Sequence, residues 1–186
     1  MSAAGEFEFR ILASPVAASD QAVVASAMRL PPEEKQLAIG GKVVAKWVGG
    51  LKDGNGPPNL LVHRQAANAF ETLVLIDSHD VTGVYFTSVE RGPGQSPAHP
   101  GLRIELNAKG SRLLGKLTAA NLPTATGERH ALALILDDSI LAAPTIMAAI
   151  SNTAIIEGLP EEEVDSLISI MNAGALPLPV CEAPQP

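Results

Sequence analysis

Hydrophobic and polar residues alternate at the start of the chain. Phe7, Phe9 and Ile11 are separated by charged residues, which is the period of a half-buried β-strand. Short apolar runs rich in β-branched residues predict further strands at residues 42–48, 72–76, 85–90 and 102–106. The glycine- and proline-rich stretch 92–101 predicts a long loop between the last two of these strands.

Three other segments have helical periodicity. Asp20 is expected to cap a helix that ends before two consecutive prolines, and Asn107 is expected to cap a second helix with leucines on one face. Pro160 precedes three glutamates, which suit the positive end of a helix dipole, and Gly174 should end this third helix.

An apolar run over residues 131–136 meets two aspartates and then continues. Aspartate tolerates the left-handed backbone conformation of tight turns, so Asp137 and Asp138 predict a hairpin turn rather than a paired-carboxylate site. Helices and strands interleave with at least one hairpin. The sequence therefore predicts an α+β domain with a mixed or antiparallel sheet and about three helices.

The amino-acid composition excludes several classes of function. The chain has 186 residues, 46% of them hydrophobic, a formal net charge of −7 and 3% aromatic residues. This length suits one domain, and an acidic chain with few aromatic rings is poorly suited to bind nucleic acid. The single cysteine, Cys181, excludes an internal disulfide and a multi-cysteine metal site. The longest uncharged run, residues 139–156, is short for a bilayer span and no signal peptide is evident, which predicts a soluble chain.

One short motif has the residues of a metal or acid–base site. Asp77, His79 and Asp80 lie within four residues, and such side chains bind divalent metals or transfer protons. The same residues are common in turns after a strand, and no second histidine lies at ligand spacing. The turn interpretation is favoured, with no cofactor and no catalytic residue. A small-ligand or metal-binding α+β domain, with or without hydrolytic activity, is the alternative, and the metal content of the purified protein would test it.

The run from Pro144 to Ile150 is apolar apart from one threonine. It belongs either to the core or to an exposed surface for extended polypeptide, where the adaptable side chain of Met147 would be useful. Ile146, Ala148 and Ile150 alternate as one face of a strand would. This pattern predicts that Ile146 and Ile150 are buried and that Met147 is exposed, and it makes these three the candidate polypeptide-contact residues.

Several short motifs follow one another along the chain in the same order as in a known protein family. Together they resemble the SecD/SecDF family of protein-export accessories, specifically the head of the first extracytoplasmic domain. The family pattern has a Leu-Asp-Gly turn, a Ser-Ala-Pro strand, an Ile-x-Gly segment and a closing Ala-Gly-x-Leu-Pro. The matching residues here are Asp137 and Asp138, with Asp138 in place of the turn glycine, then Pro144, Gly158, Gly174 and Pro177. Asn107 lies at a similar strand-to-helix junction, and residues 8–12 resemble the Leu-Glu-Phe-Arg strand of the family.

The resemblance implies a domain organisation. Residues 1–14 would be a strand of a ferredoxin-like base and 15–174 the head, with 30–70 poorly matched. Residues 175–186 would be the return strand to the base and a tail. Domains inserted into others commonly have adjacent termini, so the two chain ends are expected to lie close together.

The resemblance also implies a role. The chain would be a non-enzymatic domain on the extracytoplasmic, periplasmic face of the bacterial membrane. It would contact unfolded translocating polypeptide and assist export driven by the proton gradient. The full-length protein would work with the Sec translocon and a SecF-like partner, and would meet the membrane through helices absent from this chain. A third possibility is a structural module that joins membrane partners without touching clients.

Overall fold

The structure, a computed structural model, describes residues 6–51, 61–66, 69–96 and 99–174. Within these ranges strands and helices form an α+β fold with three α-helices, as the sequence predicts. The strands are β1 (Phe7–Ile11), β2 (Gln36–Ile39), β3 (Lys42–Gly49), β4 (His63–Ala66), β5 (Ala69–Leu75), β6 (Val81–Thr82), β7 (Phe86–Ser96), β8 (His99–Leu106), β9 (Leu132–Leu136), β10 (Ser139–Ala142) and β11 (Thr153–Ile156). The helices are α1 (Gln21–Ala27), α2 (Ala108–Ala119) and α3 (Glu161–Gly174).

The larger sheet has eight strands in the order β4-β5-β3-β10-β9-β1-β6, with β2 added beside β3. Its strand pairs are antiparallel except for a parallel contact of β10 with β3. Just beyond β1, Leu12 bridges to Val74, and the Ala13 N–H donates to the Leu73 carbonyl at 3.0 Å. The sheet therefore curls until the end of β1 meets β5. The buried apolar cluster formed by the curled strands includes Leu12, Val48, Val74, Ala131, Ala133, Ile135 and Ile140.

The smaller sheet is antiparallel in the order β11-β8-β7. Its buried face, α2, α3 and one face of β1 enclose the main core. The predicted alternation of the first strand is confirmed, because Phe7, Phe9 and Ile11 all lie in that core. Successive side chains of a strand point to opposite faces, which places Glu8 and Arg10 on the other side of β1.

The long loop predicted at residues 92–101 is wrong. β7 and β8 continue through most of this stretch and pair as far as Ser96 and His99. A side chain on Gly94 would overlap the His99 carbonyl oxygen, and one on Gly101 would overlap that of Pro93. The glycines that suggested a loop instead allow two strands to approach closely.

The helix starts agree in part with the prediction. Asn107 caps α2, since its Oδ1 accepts hydrogen bonds from the N–H groups of Lys109 at 3.0 Å and Gly110 at 2.9 Å. Asp20 occupies the predicted N-cap position of α1, but its side chain makes no capping bond to the helix. The buried Asp20 carboxylate instead accepts from the Ser14 N–H at 2.8 Å and lies 3.2 Å from Nε2 of His130.

The hairpin between β9 and β10 is confirmed. Asp137 and Asp138 have φ angles of 47° and 59°, the left-handed values of a two-residue turn. Gly158 is also left-handed, with φ of 88°, just before α3. The sequence interpretation missed β2, β4, β6 and β11. The first two lie in the stretch 30–70 that matched the family poorly.

β1 lies inside the larger sheet, paired with β9 on one side and β6 on the other. A boundary between base and head at residue 14 stays a prediction. The return strand over 175–186, Pro177 and the expected closeness of the chain ends fall outside the described residues.

Candidate functional site

The apolar run after β10 forms a strap across the domain, anchored on both sides. The Leu132 N–H donates to the Pro144 carbonyl, and the Ile146 N–H donates to the His130 carbonyl, each at 2.9 Å. The Ile150 N–H donates to Oγ1 of Thr118 on α2, also at 2.9 Å. Between these anchors the chain is exposed at Met147, Ala148 and Ala149. We call the side chains of Pro144, Met147, Ala148 and Ala149 the Met147 surface.

The three candidate contact residues, Ile146, Met147 and Ile150, differ in how much of each side chain is exposed. Ile146 is 2% exposed and belongs to the main core, whereas Met147 is 63% exposed. Ile150 is half-buried against the same core. Ile146 therefore supports the surface from below and is not available for contact. The predicted strand face is wrong, because the run pairs with a strand only through the bridge of Thr145 to Ala131.

Thr118 fixes the far end of the strap. It is fully buried, and its hydroxyl donates to the Leu114 carbonyl at 2.7 Å while accepting from Ile150. Within a helix, a threonine that bonds back to the preceding turn keeps its hydroxyl fixed. Sequence reasoning missed this residue because one threonine beside the leucine stripe of α2 gives no signal of a distant partner.

A charged cluster lies on the opposite face of β1 from the main core. Arg10 Nε is 2.5 Å from Glu8 Oε2, and the Arg10 guanidinium also pairs with Asp80. Lys46 Nζ lies 3.2 Å from Glu8 Oε2 and 2.7 Å from Asp138 Oδ1. The side chains of Glu8, Arg10 and Asp80 are at most 12% exposed, so the two carboxylates depend on Arg10 for most of their compensation.

The side chains of the candidate metal motif, Asp77, His79 and Asp80, have different partners in the structure. Asp77 Oδ1 accepts from the His79 N–H and lies 2.7 Å from Nδ1 of the same histidine, which is a local turn in solvent. The Asp80 carboxylate pairs with Arg10, and its Oδ2 also accepts from the Asp77 N–H at 2.9 Å, as in a local turn. Among the described residues no group of three or more His, Cys, Asp or Glu side chains is placed to hold a metal ion. The three residues of the motif therefore do not converge on one site.

Burial and nearby charges act differently on the two carboxyls beside Arg10. For Glu8, burial is outweighed by the hydrogen bonds and charges of Arg10 and Lys46, so its pKa is lowered. For Asp80, burial wins over the Arg10 charge and raises the pKa to about 6. In the part of the chain that the structure describes, Oδ1 of Asp80 has no hydrogen-bond partner. This environment favours the protonated form of Asp80.

Stability should therefore depend on pH through Asp80. A carboxyl whose pKa is higher in the folded state contributes stability below its unfolded pKa and loses it as pH rises through the folded value of about 6. We expect this group to lower the free energy of unfolding by roughly 2–3 kcal/mol between about pH 4 and pH 7. Urea unfolding across that range should show a decline that is absent from Asp80→Asn. Equal pH profiles for the two proteins would contradict the raised pKa.

Comparison with protein families identifies the fold. The family model for the SecDF P1 head subdomain matches residues 60–178. This segment contains β4 to β11, α2, α3 and the Met147 surface. It is a two-sheet α+β domain of the kind found in protein-export components. The chain belongs to the SecDF P1 head subdomain family.

Curated relatives agree with the family. The chain is 28% identical over 110 residues to a protein translocase subunit SecD of Syntrophobacter fumaroxidans, which covers 58% of this chain and 20% of the relative. It is 31% identical over 101 residues to that of Elusimicrobium minutum, covering 54% and 20%. For Calditerrivibrio nitroreducens the values are 27% over 140 residues, 70% and 26%. The chain thus spans a fifth to a quarter of the length of these relatives.

Solved structures agree in fold. A structure of SecDF, described as a membrane component that enhances protein export, matches with a TM-score of 0.50 and 22% identity. It covers 99% of this chain and 70% of its own. SecDF in a super-membrane-facing form matches with the same score and identity, over 94% of this chain and 20% of its own. No helix in the described ranges is long and apolar enough to cross a membrane.

Proposed function

We propose that this domain is a non-enzymatic part of a SecD-type export protein and that it contacts unfolded polypeptide through the Met147 surface. The observation that carries the proposal is a 63% exposed methionine on a strap anchored at both sides. An exposed apolar side chain in a rigid frame offers contact area without a large loss of conformational entropy on binding.

The chemistry of the surface suits clients that share no sequence. Methionine is unbranched and polarizable, so it adapts to many apolar side chains. Its neighbours Ala148 and Ala149 are small and leave room for a passing chain. A contact of this size would be weak and reversible, which lets a polypeptide advance while its backward movement is hindered. This role needs no nucleophile, metal or cofactor.

The wider setting follows from the family. The domain would lie on the periplasmic side of the bacterial cytoplasmic membrane and act beside the Sec translocon and a SecF-like partner. The proton gradient would drive movement through transmembrane helices elsewhere in the full-length protein. Residues 1–14 and 175–186 would connect the head 15–174 to a base, and β1 would move with the head because it packs in the same core.

Photocrosslinking tests the contact. A photoreactive residue replacing Met147 should crosslink to a permanently unfolded protein, such as reduced and carboxymethylated α-lactalbumin. Met28 is the matched control, because it is also an exposed methionine, at 51%, but lies at the end of α1. Met147→Asp should weaken binding about fivefold or more, whereas Met28→Asp should leave it nearly unchanged.

The same experiment separates the alternatives. A structural module that only joins membrane partners would give equal, weak crosslinking from both positions. A folded Met147→Asp variant that binds unfolded polypeptide as tightly as the parent would contradict the proposed contact surface.

A further inference from the structure

β11 is one of the two edge strands of the smaller sheet, the other being β7. β11 pairs with β8, and no other strand of the described chain pairs with its outer side. The Leu106 N–H donates to the Asn152 carbonyl at 3.0 Å, which fixes the phase of the antiparallel ladder. Backbone groups alternate along such a ladder, so those of Ala154 and Ile156 face β8. The N–H and C=O groups of Thr153 and Ile155 therefore face outward.

β11 is short, with four residues, but two other features that usually prevent strand addition are absent from it. β11 contains neither a charged residue nor a proline, and both isoleucines and the threonine in it are β-branched. Ile155 is 45% exposed, whereas Ala154 and Ile156 are buried in the main core. The strand is thus held firmly from its inner face while its outer edge offers free hydrogen-bonding groups.

The edge continues the surface assigned to client contact. From Ile150 the chain passes through two exposed residues, Ser151 and Asn152, and enters β11 directly. The start of this edge, which recognises backbone rather than sequence, lies six residues along the chain from Met147. A client without a fixed sequence is the occupant that backbone recognition suits best.

We propose that an extended segment of unfolded polypeptide adds to β11 as a fourth, antiparallel strand of the smaller sheet. The inference rests on the proposed function, which it makes specific to one edge and one mode of binding. Two outward N–H groups and two outward carbonyls, at Thr153 and Ile155, would pair with the added chain. The exposed side chain of Ile155 would contact the apolar side chains on the same face of that chain.

Acidic side chains near the end of β11 should favour basic residues at one end of the added strand. Glu157 is exposed at the C-terminal end of β11, and Glu162 is exposed at the start of α3. An antiparallel partner begins opposite the C-terminal end of β11. A basic residue at the N-terminal end of the added segment would therefore lie near these carboxylates.

A pair of substitutions at Ile155 tests the edge. Its N–H faces outward, so Ile155→Pro removes a donor from the open edge without removing one from the β8 ladder. Ile155→Val keeps both the donor and the branched side chain. We expect a labelled peptide, Lys-Lys-Val-Thr-Val-Thr-Val, to bind Ile155→Pro roughly tenfold or more weakly than the parent, while Ile155→Val binds within about twofold.

Two peptide variants keep the test independent of protein folding. N-methylation of the central backbone nitrogens should abolish binding to the parent, and the reversed sequence, with its lysines last, should bind more weakly. If Ile155→Pro does not fold, binding of the N-methylated peptide to the parent protein tests strand addition instead. Unchanged binding of that peptide, or of the unmodified peptide to folded Ile155→Pro, would overturn strand addition.

Other outcomes show whether the strand-addition inference or the proposed function has failed. Loss of unfolded-polypeptide binding in Met147→Asp but not in Ile155→Pro would leave the proposed function standing and refute the edge. An absence of unfolded-polypeptide binding by the parent would refute the proposed function itself. If Ile155→Pro converts a dimer to a monomer without changing peptide affinity, the edge pairs with a second copy of the chain and the inference is wrong.

Discussion

Replacing Arg10 with methionine should lower the free energy of unfolding by about 3–5 kcal/mol at neutral pH, because it removes the guanidinium that pairs with two buried carboxylates and leaves Lys46 as the cation beside Glu8. Arg10 contacts both Glu8 and Asp80, and the side chains of all three are at most 12% exposed. Methionine keeps the apolar stem of the side chain, so the loss measures charge and hydrogen bonding rather than packing. Urea unfolding monitored by circular dichroism gives the value.

Two controls distinguish a buried charge network from a general effect of losing arginine. Arg91 pairs with Glu161 and Asp165 in solvent, so Arg91→Met should change stability far less. The double variant Arg10→Met with Asp80→Asn should recover part of the loss, because one of the unpaired carboxylates is gone. Below about pH 4 the deficit should also shrink, since Asp80, whose pKa is raised to about 6, is then protonated and no longer needs a cation. A deficit that is constant with pH and additive in the double variant would contradict this account.

The parts of the fold that the sequence predicted are those with local causes. The alternation of Phe7, Phe9 and Ile11 predicts one strand with a buried apolar face, and the structure has both. The opposite face, which was expected in solvent, is also largely covered, with Glu8 6% exposed. The capping bonds of Asn107 reach only three residues along the chain. The turn at Asp137 and Asp138 depends on the backbone conformations that aspartate tolerates.

The parts that it missed depend on distant partners. Asp20 has the residue type of a cap, yet it pairs with His130, 110 residues away. Asp80 accepts from the Asp77 N–H, as the turn interpretation expects, but its ionic partner Arg10 is 70 residues away and was not predicted. In a single sequence, nothing marks which charged residues a curled sheet will bring together. The glycines of the β7–β8 hairpin were misinterpreted for the same reason, since close strand approach and loop flexibility both favour glycine.

The candidate site was predicted only in part. An apolar run with one methionine predicted a mixture of buried and exposed positions, and the alternation placed Ile146 inside and Met147 outside. The reason given for that alternation was wrong, because hydrogen bonds from two different elements, and not a strand ladder, hold the strap. The anchor at Thr118 lies 32 residues from Ile150 and could not be inferred from spacing.

Ile146→Asp should unfold the domain or destabilise it by several kcal/mol, whereas Met147→Asp should leave the melting temperature nearly unchanged. Ile146 is 2% exposed within the main core, where the neighbouring side chains are apolar and an aspartate would be buried without a partner. Met147 is 63% exposed, and a carboxylate there stays in water.

Thermal unfolding of the two variants, followed by circular dichroism, measures the difference between adjacent positions. Ile146→Val is the matched conservative change and should cost only about 1 kcal/mol. A stable Ile146→Asp variant, or an unfolded Met147→Asp variant, would reverse the burial on which the contact surface depends. If the expected contrast is found, any loss of polypeptide binding in Met147→Asp arises at the surface and not from loss of the fold. Binding and stability then become separable at neighbouring residues of one strap.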